Sequence, residues 1–214
     1  MNRGFTLVEL VICVAIFVIM TALVVAKYGN FNQGVLLTDT AYDIALVLHT
    51  AQNYGLSVHN AGALGGASNF QTAYGVDFNI SSSNVACGAM SSNYMNITLF
   101  ADTNPLLTQT TAPDHICTSY DTGVTSYAVT RGATVSCLYA GAPPSGSQSA
   151  VCASGQSGYV TQLDITFLRP NPDATICAGA SNCNNPYGQI TLRASDGSLR
   201  TIGVYQNGQI VVNQ

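Results

Sequence analysis

Charge is what this chain has least of. Asp, Glu, Lys and Arg make up 7% of its 214 residues, and the formal net charge is −4 at pH 7. That balance leaves no basic stripe of the kind that non-specific nucleic-acid binding needs. A polar but uncharged surface, rich in Ser, Thr, Asn, Gly and Ala, suits an exported protein instead. Short signatures of chemistry are missing too. There is no G-x-S-x-G elbow, no H-E-x-x-H helix and no C-x-x-C pair, which removes the local motifs for a hydrolase nucleophile and for zinc. His49 and His59 have no Cys, Asp or Glu at ligand spacing and read as ordinary helix and loop residues. His115, beside Asp114, reads as a solvated loop residue, since adjacency in sequence does not make a triad. No catalytic residue, metal ligand or cofactor is expected, and no internal repeat is present.

Against this background the one glutamate, Glu9, stands out. It lies in an apolar stretch that runs from Phe5 to Ala26 without another charge. At 1.5 Å per residue that stretch makes about 33 Å of helix, enough to cross the hydrocarbon core of a bilayer. An acid inside a membrane helix costs roughly 2.5–3.5 kcal/mol on insertion scales, so it calls for a partner unless it snorkels from a helix end. Arg3 in the short leader places the N-terminus in the cytoplasm and the rest of the chain outside by the positive-inside rule. A secretory signal peptide cut after Val24-Val25-Ala26 is the main competing reading, and a charge inside its apolar region argues against it. A lipoprotein signal at Cys13 is weaker, because Ile12 is not the small residue that should precede a lipidated cysteine.

Met1-Asn2-Arg3-Gly4 followed by Phe5-Thr6-Leu7-Val8-Glu9-Leu10 resembles the processing and assembly signal of type IV pilins and of type II secretion pseudopilins. The resemblance implies a cut by a prepilin peptidase between Gly4 and Phe5 and N-methylation of Phe5. It implies that Glu9 neutralises the N-terminal amine of a neighbouring subunit in a growing filament. It also implies partners: other pilin or pseudopilin subunits, an inner-membrane assembly platform and a cytoplasmic assembly ATPase. The expected layout is a leader at 1–4, a transmembrane helix at 5–26, the outer half of a helical spine at 27–55 and a β-rich domain at 56–214.

Past the anchor, Gly29 and Gly34 mark places where the helix can bend or break. Leu37, Ala41, Ile44, Ala45, Leu48 and Ala51 then draw one apolar stripe, predicting a helix from about Asp39 to Tyr54 with Gly55 able to end it. Asp39 and Asp43 would sit in its first turns, where the helix dipole favours acid. From residue 56 the period changes to two. Strands are expected around Tyr74–Phe78, Ile97–Phe100, Val124–Val129, Thr134–Tyr139 and Val160–Leu168, with loops at 57–72, 79–95 and 141–158. A three-strand meander over 189–212 turns at Asp196-Gly197 and Asn207-Gly208, residue pairs that tolerate the positive φ of tight hairpins. The fold class is α+β, a long N-terminal helix packed on an antiparallel sheet or sandwich.

Six cysteines lie beyond the anchor: Cys87, Cys117, Cys137, Cys152, Cys177 and Cys183. An even number in an exported domain predicts disulfides, though six allow 15 connectivities. We read them as sequential pairs, with free buried thiols as the alternative. The helix at 39–54, Phe167 with Arg169-Pro170, and the run Ile190, Asp196-Gly197, Arg200 and Gly208-Gln209-Ile210 resemble H-type minor pseudopilins and FimT-like minor pilins. Ala26 stands where many major pilins have a proline, and six cysteines beyond the membrane are more than the single C-terminal disulfide common in pilins needs. In some FimT-like proteins basic residues near the C-terminus capture DNA, and Arg193 and Arg200 flank one hairpin here. The function classes are therefore a structural filament subunit, a module that binds DNA or a surface, and an anchored secreted enzyme.

Overall fold

The computed structural model describes residues 4, 6–57, 72–81, 85–88, 90–103, 114–130, 132–143, 152, 154–179 and 182–213. One helix, α1, runs unbroken from Leu7 to Leu56. No break occurs at Gly29 or Gly34, and no separate helix starts at Asp39. A glycine in a helix costs only about 1 kcal/mol relative to alanine, too little to outweigh the packing of its C-terminal half, and no proline is present to remove a backbone bond. Thr38 and Thr40 return their hydroxyls to the carbonyls of Gly34 and Leu36, each at 2.8 Å, so neither exposes an unsatisfied group to the ladder. Asp39 and Asp43 are therefore mid-helix residues without a terminal dipole to complement, and the acid in the first turn is Glu9.

Gly55 lies inside the last turn rather than beyond it, and the helix stops where the Ser57 N–H bonds the Asn53 carbonyl at 2.9 Å. The glycine serves a close approach. A Cβ at residue 55 would run into the carbonyl oxygen of Phe167, and the Gly55 carbonyl accepts the Arg169 N–H at 3.1 Å.

The strands follow in order: β1 Ala73–Asn79, β2 Val85–Cys87, β3 Met90–Ser92, β4 Asn96–Asp102, β5 Thr122–Ala128, β6 Ala133–Gly141, β7 Tyr159–Val160, β8 Gln162–Phe167, β9 Ala174–Ala178, β10 Tyr187–Ala194, β11 Leu199–Tyr205 and β12 Ile210–Asn213. They form two antiparallel five-stranded sheets, β5-β4-β1-β8-β9 and β12-β11-β10-β6-β7, and a small β2-β3 hairpin. The molecule is thus α+β, one N-terminal apolar helix followed by antiparallel sheets. The outer half of α1 lies across both sheets. Its buried Leu37, Ile44 and Leu48 join Val76, Phe78, Ile165 and Phe167 of the first sheet and Ile190, Ile202 and Val204 of the second in one core.

The C-terminal meander forms as its turns predict, with Gly197 at φ 87° and Gly208 at φ 81°. The run expected as one strand over Val160–Leu168 divides at Thr161. Tyr159–Val160 pairs with β6 in the second sheet, whereas Gln162–Phe167 pairs with β1 and β9 in the first. The hairpin β2-β3 falls inside the stretch expected to be a loop over 79–95, and β9 was not expected. Three-residue strands are too short to show a period, and Ala174–Ala178 holds a single large apolar side chain, Ile176. Most of the expected loops at 57–72 and 141–158 lie outside the described residues.

Candidate assembly site at the start of the helix

Thr6 begins α1 and explains why the helix starts there. Its backbone is extended, with φ −82° and ψ 148°. Its hydroxyl oxygen accepts the Glu9 N–H at 3.3 Å, while Glu9 Oε2 accepts the Thr6 N–H at 3.1 Å and the Thr6 hydroxyl at 2.9 Å. This is a reciprocal capping box, which satisfies donors the first helical turn leaves without partners. The Glu9 carboxylate is thereby folded back toward the N-terminus. Neutral donors hold it, and no cation among the described residues pairs with it. Gly4 is exposed two residues upstream, with nothing within 4 Å of the place a Cβ would occupy. Phe5, Arg3 and His59 lie outside the described residues.

From Leu7 to Val25 the helix has a mean hydropathy of 2.9, and none of it is buried against the rest of the chain. Its polar side chain Thr21 bonds the carbonyls of Phe17 and Val18, which hides the hydroxyl in the helix's own ladder. Cys13 is a free, exposed thiol on the same segment. Such a surface is what lipid requires: apolar all round, with backbone groups satisfied internally.

Residues 1–25 match the family described as the prokaryotic N-terminal methylation motif. This is a type IV pilin signal, and it supports a pilin or pseudopilin type of subunit. It implies processing by a prepilin peptidase, anchoring in a membrane and assembly with other pilins. The order of one apolar helix and then antiparallel sheets fits a pilin-like fold. No curated protein and no solved structure matches the chain.

The remaining candidates lie elsewhere in the fold. Three disulfides join Cys87 to Cys117, Cys137 to Cys152 and Cys177 to Cys183, in sequential order. Arg193 and Arg200 do not come together. Leu192 is paired with Arg200 and Arg193 with Leu199, so the two arginines point to opposite faces of the sheet. Arg200 is turned to the helix, where its Nε donates to the Thr38 hydroxyl at 3.3 Å, and Arg193 is exposed. His49 only meets Gln52 of its own helix, Nδ1 to Oε1 at 3.4 Å. Among the described residues no group of three His, Cys, Asp or Glu side chains is arranged to hold a metal.

His115 is not the solvated loop residue expected. It is half-buried at φ 65°, its Nδ1 lies 2.7 Å from the Thr166 hydroxyl, and its backbone N–H donates to Asp102 Oδ2 at 2.7 Å. Burial lowers its pKa from the usual histidine value, although Asp114 opposes this. It belongs to a polar layer that sequence reasoning missed. Asp77, Asp102, Asp121 and Asp164 are all buried on or beside the outer face of the first sheet. Asp121 accepts the N–H groups of Thr103 at 3.0 Å and Thr118 at 2.8 Å, yet burial still raises its pKa above the usual carboxylate value. The available signal was the acidic position in the alternating runs: Asp77 and Asp164 fall among strand residues whose neighbours all face a core.

Proposed function

We propose that this chain is a structural subunit, minor or initiating, of a type II secretion pseudopilus or a type IV pilus. The prepilin peptidase cuts between Gly4 and Phe5, and Phe5 is N-methylated. Residues 5–26 then cross the cytoplasmic membrane, with the N-terminus in the cytoplasm and the domain at 56–214 outside. An assembly platform and a cytoplasmic ATPase draw the subunit into the filament. Its activity is assembly, and its layout of a long N-terminal helix, strands and a C-terminal meander resembles that of the H-type pseudopilins and FimT-like minor pilins. The observation that carries the reading is the capped helix start in residues 1–25: a carboxylate on an apolar helix, aimed at the end where a new amine would appear. Across the subunit boundary, that amine of a neighbour supplies the counter-charge that Thr6 does not.

Glu9→Leu tests this. It removes a charge from lipid, so the precursor should be cut and should accumulate in the membrane at normal levels, yet be depleted from sheared filaments at least tenfold. That loss corresponds to about 1.4 kcal/mol, a small part of what an unpaired charge in the assembled state would cost. Intact mass of the membrane form and immunoblots of sheared filaments read the two effects separately. Normal incorporation would remove Glu9 from assembly, and a mature terminus at Lys27 would replace the filament reading with an ordinary signal peptide. Capture of DNA, the alternative, is not favoured by two arginines on opposite faces of a sheet, and an enzymatic role has no constellation behind it among the described residues.

A further inference from the structure

Asp77 and Asp164 stand directly opposite each other on the outer face of β1 and β8, in a row that continues to Thr98 on β4 and Cys177 on β9. Neither carboxyl has any exposure. Gln162 Nε2 donates to Asp77 Oδ1 and to Asp164 Oδ2, each at 3.2 Å, and the Cys117 N–H donates to Asp164 Oδ1 at 3.3 Å. Gln162 thereby bridges the two carboxyls, one amide nitrogen between them. Asp77 Oδ2 receives no N–H or O–H among the described residues. Two ionised carboxylates offer four acceptor oxygens and no donor, so a buried pair this close relieves its repulsion by holding one proton.

The surrounding described groups bring no compensating cation. Segment 114–121, which covers this face and is tied down by Cys87–Cys117, contributes Asp121, a further negative charge toward Asp164. Asp114 and His115 on the same segment and Asp102 on β4 are occupied around the His115 backbone and ring. The β2-β3 hairpin brings Ser92, and β9 brings Cys177 in its disulfide. No lysine or arginine acts on either carboxyl among the described residues.

We propose that one proton shared by Asp77 and Asp164 latches segment 114–121 over the outer face of the first sheet, and that its loss opens the segment about the Cys87–Cys117 tether. Once ionised, the pair places two like charges in a site that excludes water, and hydrating them requires lifting the cover. Burial raises both carboxyls above their usual range. The closed state therefore holds a proton that the open state releases. Closure is complete in acid and weakens as pH rises, with the opening constant growing up to about tenfold per pH unit for one proton.

Amide hydrogen exchange of the full-length chain in detergent micelles, read by mass spectrometry between about pH 5 and pH 9 and corrected for intrinsic rates, tests the latch. Protection of 114–121 should fall by at least tenfold across that range, while peptides from β10 and β11 show no such dependence. Asp164→Asn and Asp77→Asn each put a permanent N–H where the proton was, and should flatten the profile. His115→Gln should leave it intact. A flat wild-type profile, a slope that survives both Asn variants, or a slope abolished by His115→Gln would overturn the proposal. The two Asn variants probe the same shared proton from either strand, so one that fails to fold does not remove the test.

Discussion

Between Leu7 and Val25 the helix is apolar on every side beyond Glu9 in its first turn and none of that surface is covered, whereas between Leu37 and Ala51 one apolar face is buried against the two sheets and Tyr42 and Leu46 stay exposed. One backbone thus passes from a surface suited to lipid to a surface suited to a protein core. The difference lies in where the polar residues are. In the first half Thr21 is folded back on the ladder, while in the second Asp39, Asp43, His49 and Asn53 occupy the face turned away from the sheets. A uniformly apolar helix seeks a uniform apolar medium, and a striped one seeks a partner. This teaches that the second half is stabilised by tertiary packing and the first by its surroundings alone.

Matched truncations in the two halves should break the symmetry of the backbone most clearly. Leu48 has no exposure, and Leu48→Ala should destabilise the domain by about 2–5 kcal/mol, the range for a buried leucine. Leu23 is 62% exposed, and Leu23→Ala should leave domain unfolding within about 0.5 kcal/mol. Denaturant titration of the full chain in micelles measures both. Equal losses would mean that the lipid-facing half also supports the fold.

At the far end of the packed half, Gly55→Ala places a methyl against the Phe167 carbonyl and should cost about 1–3 kcal/mol, as overpacking does. The same titration should show it, with Gly34→Ala, where a Cβ has open space, neutral or slightly stabilising.

The smallest effect belongs to the exposed half. Thr6→Ala removes the cap of α1 and should cost about 1 kcal/mol, felt as faster hydrogen exchange in the first turn and not as a change in domain unfolding. A shift in the domain's midpoint would show that the two halves are coupled along the helix.

Much of this division was legible beforehand. The stripe Leu37, Ala41, Ile44, Ala45, Leu48 and Ala51 is buried as its spacing implies, and both meander turns carry the glycine that their positive φ demands. Periodicity revealed these because each depends on one element meeting one surface. It failed where a residue's neighbours come from elsewhere. The gap between the two helical patterns looked like a break because glycines were weighed locally, while the helix continues through them. Val160–Leu168 looked like one strand because alternation does not say which sheet each part joins. Arg193 and Arg200 looked like neighbours across a hairpin until the register turned them to opposite faces.

The start of this protein is set by local features. A capping residue, a glycine before the helix, one acid and an uninterrupted apolar run are all local features, and each has the same consequence wherever the rest of the chain goes. The other buried acids depend on long-range packing. Asp77 and Asp164 are separated by 86 intervening residues, and nothing in either strand's alternation says that they meet, that the face they share is sealed, or that no cation among the described residues comes with them. Burial of a charge is set by everything packed around it, and that is assembled from β1, β4, β8, β9 and the segment held by Cys87–Cys117.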